Sequence, residues 1–214
     1  LGGALMPEIL RHKKIIAVEG KDDANFFNAL LRHIKITDVD IREVGGKIQF
    51  RDKLPALFRT PGFSEVSIFA VIRDADNNAE AALESIKNIL KKEGFNPPKK
   101  MNSFSGKSPE VGIFIMPGNS EKGMLEDLCL KTVENNPVMT CVKPFIESCL
   151  KLQSPPSNIA KASAQAFLAA MPEIVNSVGV GAEKGYWNFN SPMLDELKKF
   201  LINFSTDSLK TDPD

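Results

Sequence analysis

Along the first part of the chain, short continuous apolar runs alternate with segments whose apolar residues recur every three or four positions. "KKIIAVEG", residues 13–20, predicts a strand ending at Gly20. In "DDANFFNALLRHI", which follows, Phe26, Phe27, Leu30, Leu31 and Ile34 fall on one helical face. "DIREVGG" predicts a second strand closed by Gly45 and Gly46, and "IQFRDKLPALFRT" a helix that Pro55 either kinks or splits. "VSIFAVIRDAD" contains an unbroken apolar run from Phe69 to Ile72, the mark of a strand covered on both faces. "AEAALESIKNILKKEGF" is rich in helix formers, with Lys91 and Lys92 in its last turn and Gly94 as its stop. "EVGIFIMPG" predicts a fourth strand and "EKGMLEDLCLKTV" the next helix.

Strands alternating with helices predict an α/β fold with a mostly parallel sheet of about four strands and helices on both faces. After Glu134 the pattern becomes helical. "NPVMTCVKPFIESCLKLQ" and "NIAKASAQAFLAAMPEI" predict helices joined by "SPPS". "NSVGVGAEKGYWNFNS" is glycine-rich and reads as a turn, and "SPMLDELKKFLINF" predicts a helix capped by Ser191 with Pro192 in its first turn. The expected organisation is an α/β domain over residues 13–134, a helical extension over 135–206 packed on or capping it, and a frayed tail over 207–214.

The 214 residues carry 27 Lys and Arg against 27 Asp and Glu, a balance that disfavours attachment to nucleic acid by overall charge and leaves only a local basic groove. No apolar run approaches the ~20 residues of a membrane span. The opening "LGGAL" reads as flexible, and the first residues lack the charged-then-apolar order of a signal peptide, so a cytoplasmic protein is expected. Cys129, Cys141 and Cys149 show no CxxC spacing and are expected as buried or partly buried free thiols. His12 and His33 lie on charged segments and are expected to be solvated.

The candidate chemistry is acidic and lies at strand ends. Glu19 follows the first strand, with Asp23 in the first turn of the next helix; Asp74 and Asp76 follow the third; Glu126 opens the helix after the fourth. On an extended chain, residues two apart point the same way, which would set Asp74 and Asp76 side by side. In a parallel sheet all three strand ends open on one edge, where ligands collect. A ligand set of oxygens without His or Cys suits a hard cation, Mg²⁺ or Mn²⁺, rather than zinc, and five acids leave room for one ion or two. Against this stand ordinary roles: first-turn acids complement the helix dipole, and Asp-x-Asp before Asn-Asn is common turn chemistry. Glu19 before a glycine has no such role.

"VEGKDDANFF" followed by "VIRDADNN" resembles the Toprim domain, a Rossmann-like module of topoisomerases, primases and the overcoming-lysogenization-defect nucleases. Glu19, Gly20, Asp23, Asp74 and Asp76 match the pattern of its nuclease branch. "GMLEDL" and "NFNSPMLDELKKFL" look more specifically like the DUF3226 type of stand-alone Toprim-like protein, in which Glu126 takes the place of a further metal-site glutamate. "GGK" at 45–47 sits where such proteins carry a similar turn. The resemblance implies a Mg²⁺-dependent phosphodiester-cleaving or phosphotransfer protein acting on nucleic acid. Glu19, Asp74 and Asp76 would be its catalytic residues, and Glu19 a ligand or a general acid or base. Lys161 would match the lysine of Toprim nucleases, and Lys47 and Lys122 are candidates to steady a phosphate. Many Toprim enzymes carry ATPase or DNA-binding modules that these residues do not include, so a separate ATPase or accessory protein is a candidate partner. A non-catalytic module that grips metal-bound nucleic acid, nucleotide or protein is the rival reading.

Other motifs fail. "GNSEKGM" has Met124 where a phosphate-binding loop needs its lysine, and "GVGAEKG" misses the dinucleotide fingerprint. A receiver domain fits the long helical tail poorly. Tyr186, the single tyrosine, beside Trp187, is expected in packing rather than as a nucleophile.

Overall fold

The computed structural model describes residues 10–46, 49–118 and 122–206. The "LGGAL" segment and the 207–214 tail, expected to be flexible and frayed, lie outside the described residues.

Five strands form one sheet in the order β2-β1-β3-β5-β4. Its strands are β1 (Lys14–Val18), β2 (Asp40–Glu43), β3 (Ile68–Asp74), β4 (Ser103–Ser105) and β5 (Glu110–Met116). Pairing is parallel throughout except for β4, which runs antiparallel to β5 at the edge. The four parallel strands, β1, β2, β3 and β5, are those expected from the sequence; β4 is an addition to them. It has no apolar run of its own, and its place is set by neighbours. A Cβ on Gly112 would lie 2.4 Å from the Phe104 ring, so the glycine lets that ring cross the sheet face, where it stacks on Phe200 at 4.4 Å.

The helices are α1 (Lys21–His33), α2 (Phe50–Phe58), α3 (Ala79–Lys92), α4 (Leu125–Thr132), α5 (Met139–Cys149), α6 (Ile159–Ala169), α7 (Val178–Glu183) and α8 (Asp195–Ser205). Pro55 lies inside α2 without splitting it. A 3-10 turn, Pro192–Leu194, precedes α8, and Ser191 caps it by accepting from the Met193 N–H at 3.3 Å.

Strand alternation divides the interior into two apolar layers. Ile15, Ala17, Phe69 and Val71 pack with α2 and α3, where Phe58, Phe63, Phe69 and Phe95 meet edge to face or tilted. Ile16, Val18, Ala70 and Ile72 pack with α1, and the helices after residue 134 share this second layer through Val142, Phe167, Ala182 and Phe204. Burying such rings removes roughly 1.5–3 kcal/mol worth of apolar surface each from water.

Two expectations change here. "NSVGVGAEKG" is not a turn: residues Val178–Glu183 form α7, packed on α1. Its glycines are there for contact, since a Cβ on Gly179 would come within 2.4 Å of the Asp22 carbonyl oxygen and 2.6 Å of the Asn25 Cβ. Tertiary packing overrides the poor helix propensity of glycine. The second change concerns the thiols, which are all free as expected: Cys129 is buried and Cys149 half-buried, but Cys141 is exposed. His12 and His33 are exposed, the latter 3.1 Å from Asn190 Oδ1 through Nε2. Tyr186 donates its hydroxyl to the Glu173 carbonyl at 3.0 Å, a packing role. Among the described residues no helix is long and apolar enough to cross a membrane.

Candidate functional site

Parallel pairing of β1, β3 and β5 brings their carboxyl ends to one edge of the sheet. Ala17 pairs with Val71, so the chain beyond Val18 delivers Glu19 beside the end of β3, and Asp74 itself pairs with Met116 on β5. The acids arrive from three directions as the strand order requires.

Alternation along β3 then sorts them. Asp74 follows Ile72 onto the α1/α4 side, where its Oδ1 accepts the Leu125 N–H at the start of α4 at 3.0 Å. Asp23 lies in the first turn of α1, its Oδ2 accepting the Gly20 N–H at 3.1 Å. Glu126 lies in the first turn of α4, its Oε1 4.0 Å from Lys161 Nζ. Arg73 follows Val71 onto the opposite, α2 side. It is 2% exposed, its guanidinium lies 5.2 Å from the centre of the Phe50 ring, and its Nε donates to Glu19 Oε1 at 3.1 Å.

The electrostatics agree with this placement. Burial, then the charges of Asp23, Glu19 and Glu126, push Asp74 well above the usual carboxylate range. Burial and Glu19 push Asp23 up to about 6. Burial raises Glu19, with Asp76 adding to the effect and Arg73 opposing it. Burial also raises Glu126, against the pull of Lys161. Glu19, Asp23, Asp74 and Glu126 therefore share one electrostatic neighbourhood, with Asp76 acting on it through Glu19.

Asp76 reaches that neighbourhood by a different route from the one its spacing implies. β3 ends at Asp74, and Asp76 has φ +51°, so the chain leaves the extended form between the two aspartates. Its carbonyl accepts the Gly123 N–H at 2.8 Å, tying the loop after β3 to the loop before α4. Of the lysines, Lys161 stands beside Glu126 and is largely exposed, Lys122 is exposed next to Gly123, and Lys47 lies outside the described residues.

Two residues at this edge were not singled out by motif. Arg73 carries a readable signal, a lone cation inside an otherwise apolar strand that must find a carboxylate when buried. Asp22 carries none: its Oδ2 and Oδ1 accept the Val178 and Gly179 N–H groups at 3.0 and 2.6 Å, capping α7 from α1.

Among the described residues no three Asp, Glu, His or Cys side chains stand grouped so as to hold an ion as they are. The donor chemistry nonetheless fits a hard divalent cation: every acid is an oxygen ligand, and the charges are mutually unfavourable where they stand. Asp74, Asp23 and Glu126 on one side of β3, with Glu19 and Asp76 at the rim, are the residues that could hold it.

Among solved structures, the chain is similar to the C-terminal region of the Burkholderia pseudomallei OLD protein, at 13% identity and a TM-score of 0.46, covering 91% of this chain and 100% of that one. The C-terminal region of the Xanthomonas campestris pv. campestris OLD protein gives 12% identity and 0.46, covering 91% and 97%. None of the curated proteins matches. The family model described as protein of unknown function (DUF3226) matches residues 13–206, sheet, acidic edge and C-terminal helices together, and the chain belongs to that family.

Proposed function

We propose that the acidic edge holds a divalent cation, Mg²⁺ or Mn²⁺, and that the protein acts on phosphodiesters of nucleic acid in a nuclease-like reaction. One observation carries the reading: carboxylates from the ends of β1 and β3 and from the first turns of α1 and α4 gather at one half-buried edge, where burial first and neighbouring carboxylates second raise their proton affinity, with Arg73 and Lys161 opposing. Like charges gathered at a half-buried edge are relieved when a cation sits among them. The Toprim-like motifs support nucleic acid as the class of target.

Bound there, such an ion would neutralise phosphate charge and lower the pKa of a coordinated water. The chain supplies the rest. The Leu125 N–H fixes the orientation of Asp74, and the Gly20 N–H fixes Asp23. Glu19, whose pKa is raised by burial, is brought nearer the range in which a carboxyl group exchanges protons as a general acid or base. Lys161, largely exposed at the mouth beside Glu126, and Lys122 offer positive charge to an incoming phosphate.

The test is cleavage of single-stranded, duplex and supercoiled DNA and of RNA with Mg²⁺ or Mn²⁺, comparing wild type with Asp74→Asn and Glu19→Gln. Cleavage by the wild type that falls at least a hundredfold in both variants is expected. Cleavage surviving in both refutes the assignment of these residues. Metal-dependent binding with every substrate left intact assigns the non-catalytic role instead.

A further inference from the structure

Arg73 and Asp74 are successive residues on β3 and face opposite sides of the sheet. Asp74 turns to the α1/α4 side with Asp23 and Glu126 for company, and Arg73 turns to the α2 side, under the Phe50 ring. Glu19, arriving at the end of β1, has a claim from both. Its Oε1 accepts from Arg73 Nε at 3.1 Å, which draws the carboxylate toward the α2 side of the sheet.

The manner of that contact is informative. A guanidinium can grip a carboxylate with two parallel N–H groups, the strongest and most directional arrangement available to it. Arg73 meets Glu19 through Nε, while Nη1 is buried without a hydrogen-bond partner. A buried arginine nitrogen left unpaired is costly, so Arg73 is not saturated by the fold around it. The result is a single-point hold on a half-buried carboxylate, one hydrogen bond where the guanidinium could offer two.

We propose that Arg73 is an internal competitor for Glu19, and that it sets the cation affinity of the acidic edge by withholding this carboxylate until a divalent ion draws it across. The inference rests on the metal reading above and deepens it. Arg73 is a positioning residue, acting through Glu19 rather than on any substrate. Cation binding in this scheme exchanges one ionic partner of Glu19 for another, and the cost of leaving the buried guanidinium over Phe50 without its carboxylate is what holds the cation affinity down.

Mn²⁺ titration calorimetry on the full chain tests it, with Arg73→Gln, Arg73→Lys, Glu19→Gln and the Arg73→Gln/Glu19→Gln double variant. Arg73→Gln is expected to bind Mn²⁺ about tenfold more tightly than wild type and Arg73→Lys by less. With Glu19→Gln already present, the gain from Arg73→Gln is expected to shrink to about twofold, the part owed to charge alone. A second measurement needs no variant: the Arg73 Nε–H resonance of wild type should move as Mg²⁺ is added and Glu19 changes partner. An equal gain in both backgrounds, no gain, or an Nε–H resonance indifferent to saturating Mg²⁺ overturns the competitor role while leaving the metal site standing. A wild type that binds no Mn²⁺ overturns the metal reading, and this inference with it.

Discussion

Asp23 offers a direct measure of how strongly the acidic edge works against the folded state. Its carboxyl titrates at about 6 rather than 3.8, because burial and then the Glu19 charge disfavour its ionised form. The folded chain therefore holds this proton more tightly than the unfolded chain does. Between those two pH values the native state binds more protons, so stability declines as pH rises through the window and stays low above it. The difference corresponds to roughly 3 kcal/mol, and since part of it is shared with Glu19, replacement by a neutral isostere should recover roughly 1.5–3 kcal/mol. Asp23→Asn keeps an oxygen able to accept the Gly20 N–H and removes the charge. In EDTA at pH 8 the variant should melt roughly 3–12 °C above wild type, the shift expected for a chain of this size. Near pH 3.5, where wild-type Asp23 is itself protonated, the two should coincide. Urea unfolding at both pH values, followed by circular dichroism, makes the comparison. A variant less stable than wild type at pH 8, or equally advantaged at both pH values, would refute the placement of Asp23 in this charge cluster.

Two further substitutions probe the joint between α1 and α7. Asp22→Ala removes the acceptor for the Val178 and Gly179 N–H groups and should cost roughly 1–3 kcal/mol in urea unfolding; an unchanged midpoint would show that water replaces the cap. Gly179→Ala would ordinarily favour a helix by about 1 kcal/mol. Its Cβ would lie 2.4 Å from the Asp22 backbone oxygen, so we expect net destabilisation of about 1–3 kcal/mol, and a gain in stability would contradict the packing of α7.

Much of this arrangement was legible in the amino acids. β1, β3 and β5 announce themselves because a strand buried on both faces has to be apolar without interruption, and α3 because its formers, its basic last turn and its stop agree. Glu19 and Asp74 were readable because strand ends in a parallel sheet are where side chains from distant segments meet. What escaped was written in partners rather than in the segment itself. β4 is "SFS", three residues whose pairing is supplied by β5 and by the glycine opposite Phe104. α7 hides behind glycines that weaken a lone helix and permit a close one. Asp76 departs from the expected extended form because the Gly123 bridge, formed across 47 residues of sequence, holds its backbone. Arg73 stood in plain view in "VIRDAD", yet its partner lies just past the end of β1 and its ring on α2.

The adjacency of Arg73 and Asp74 on a strand with a two-residue period has a consequence for folding fidelity. A slip of β3 by one residue against β1 would exchange their faces, driving a guanidinium in among the acids and a carboxylate in beneath Phe50. Such a misregistered sheet would be penalised by misplaced charge as well as by misplaced methyl groups. The two side chains that close β3 therefore also proofread the alignment of the strand that carries them.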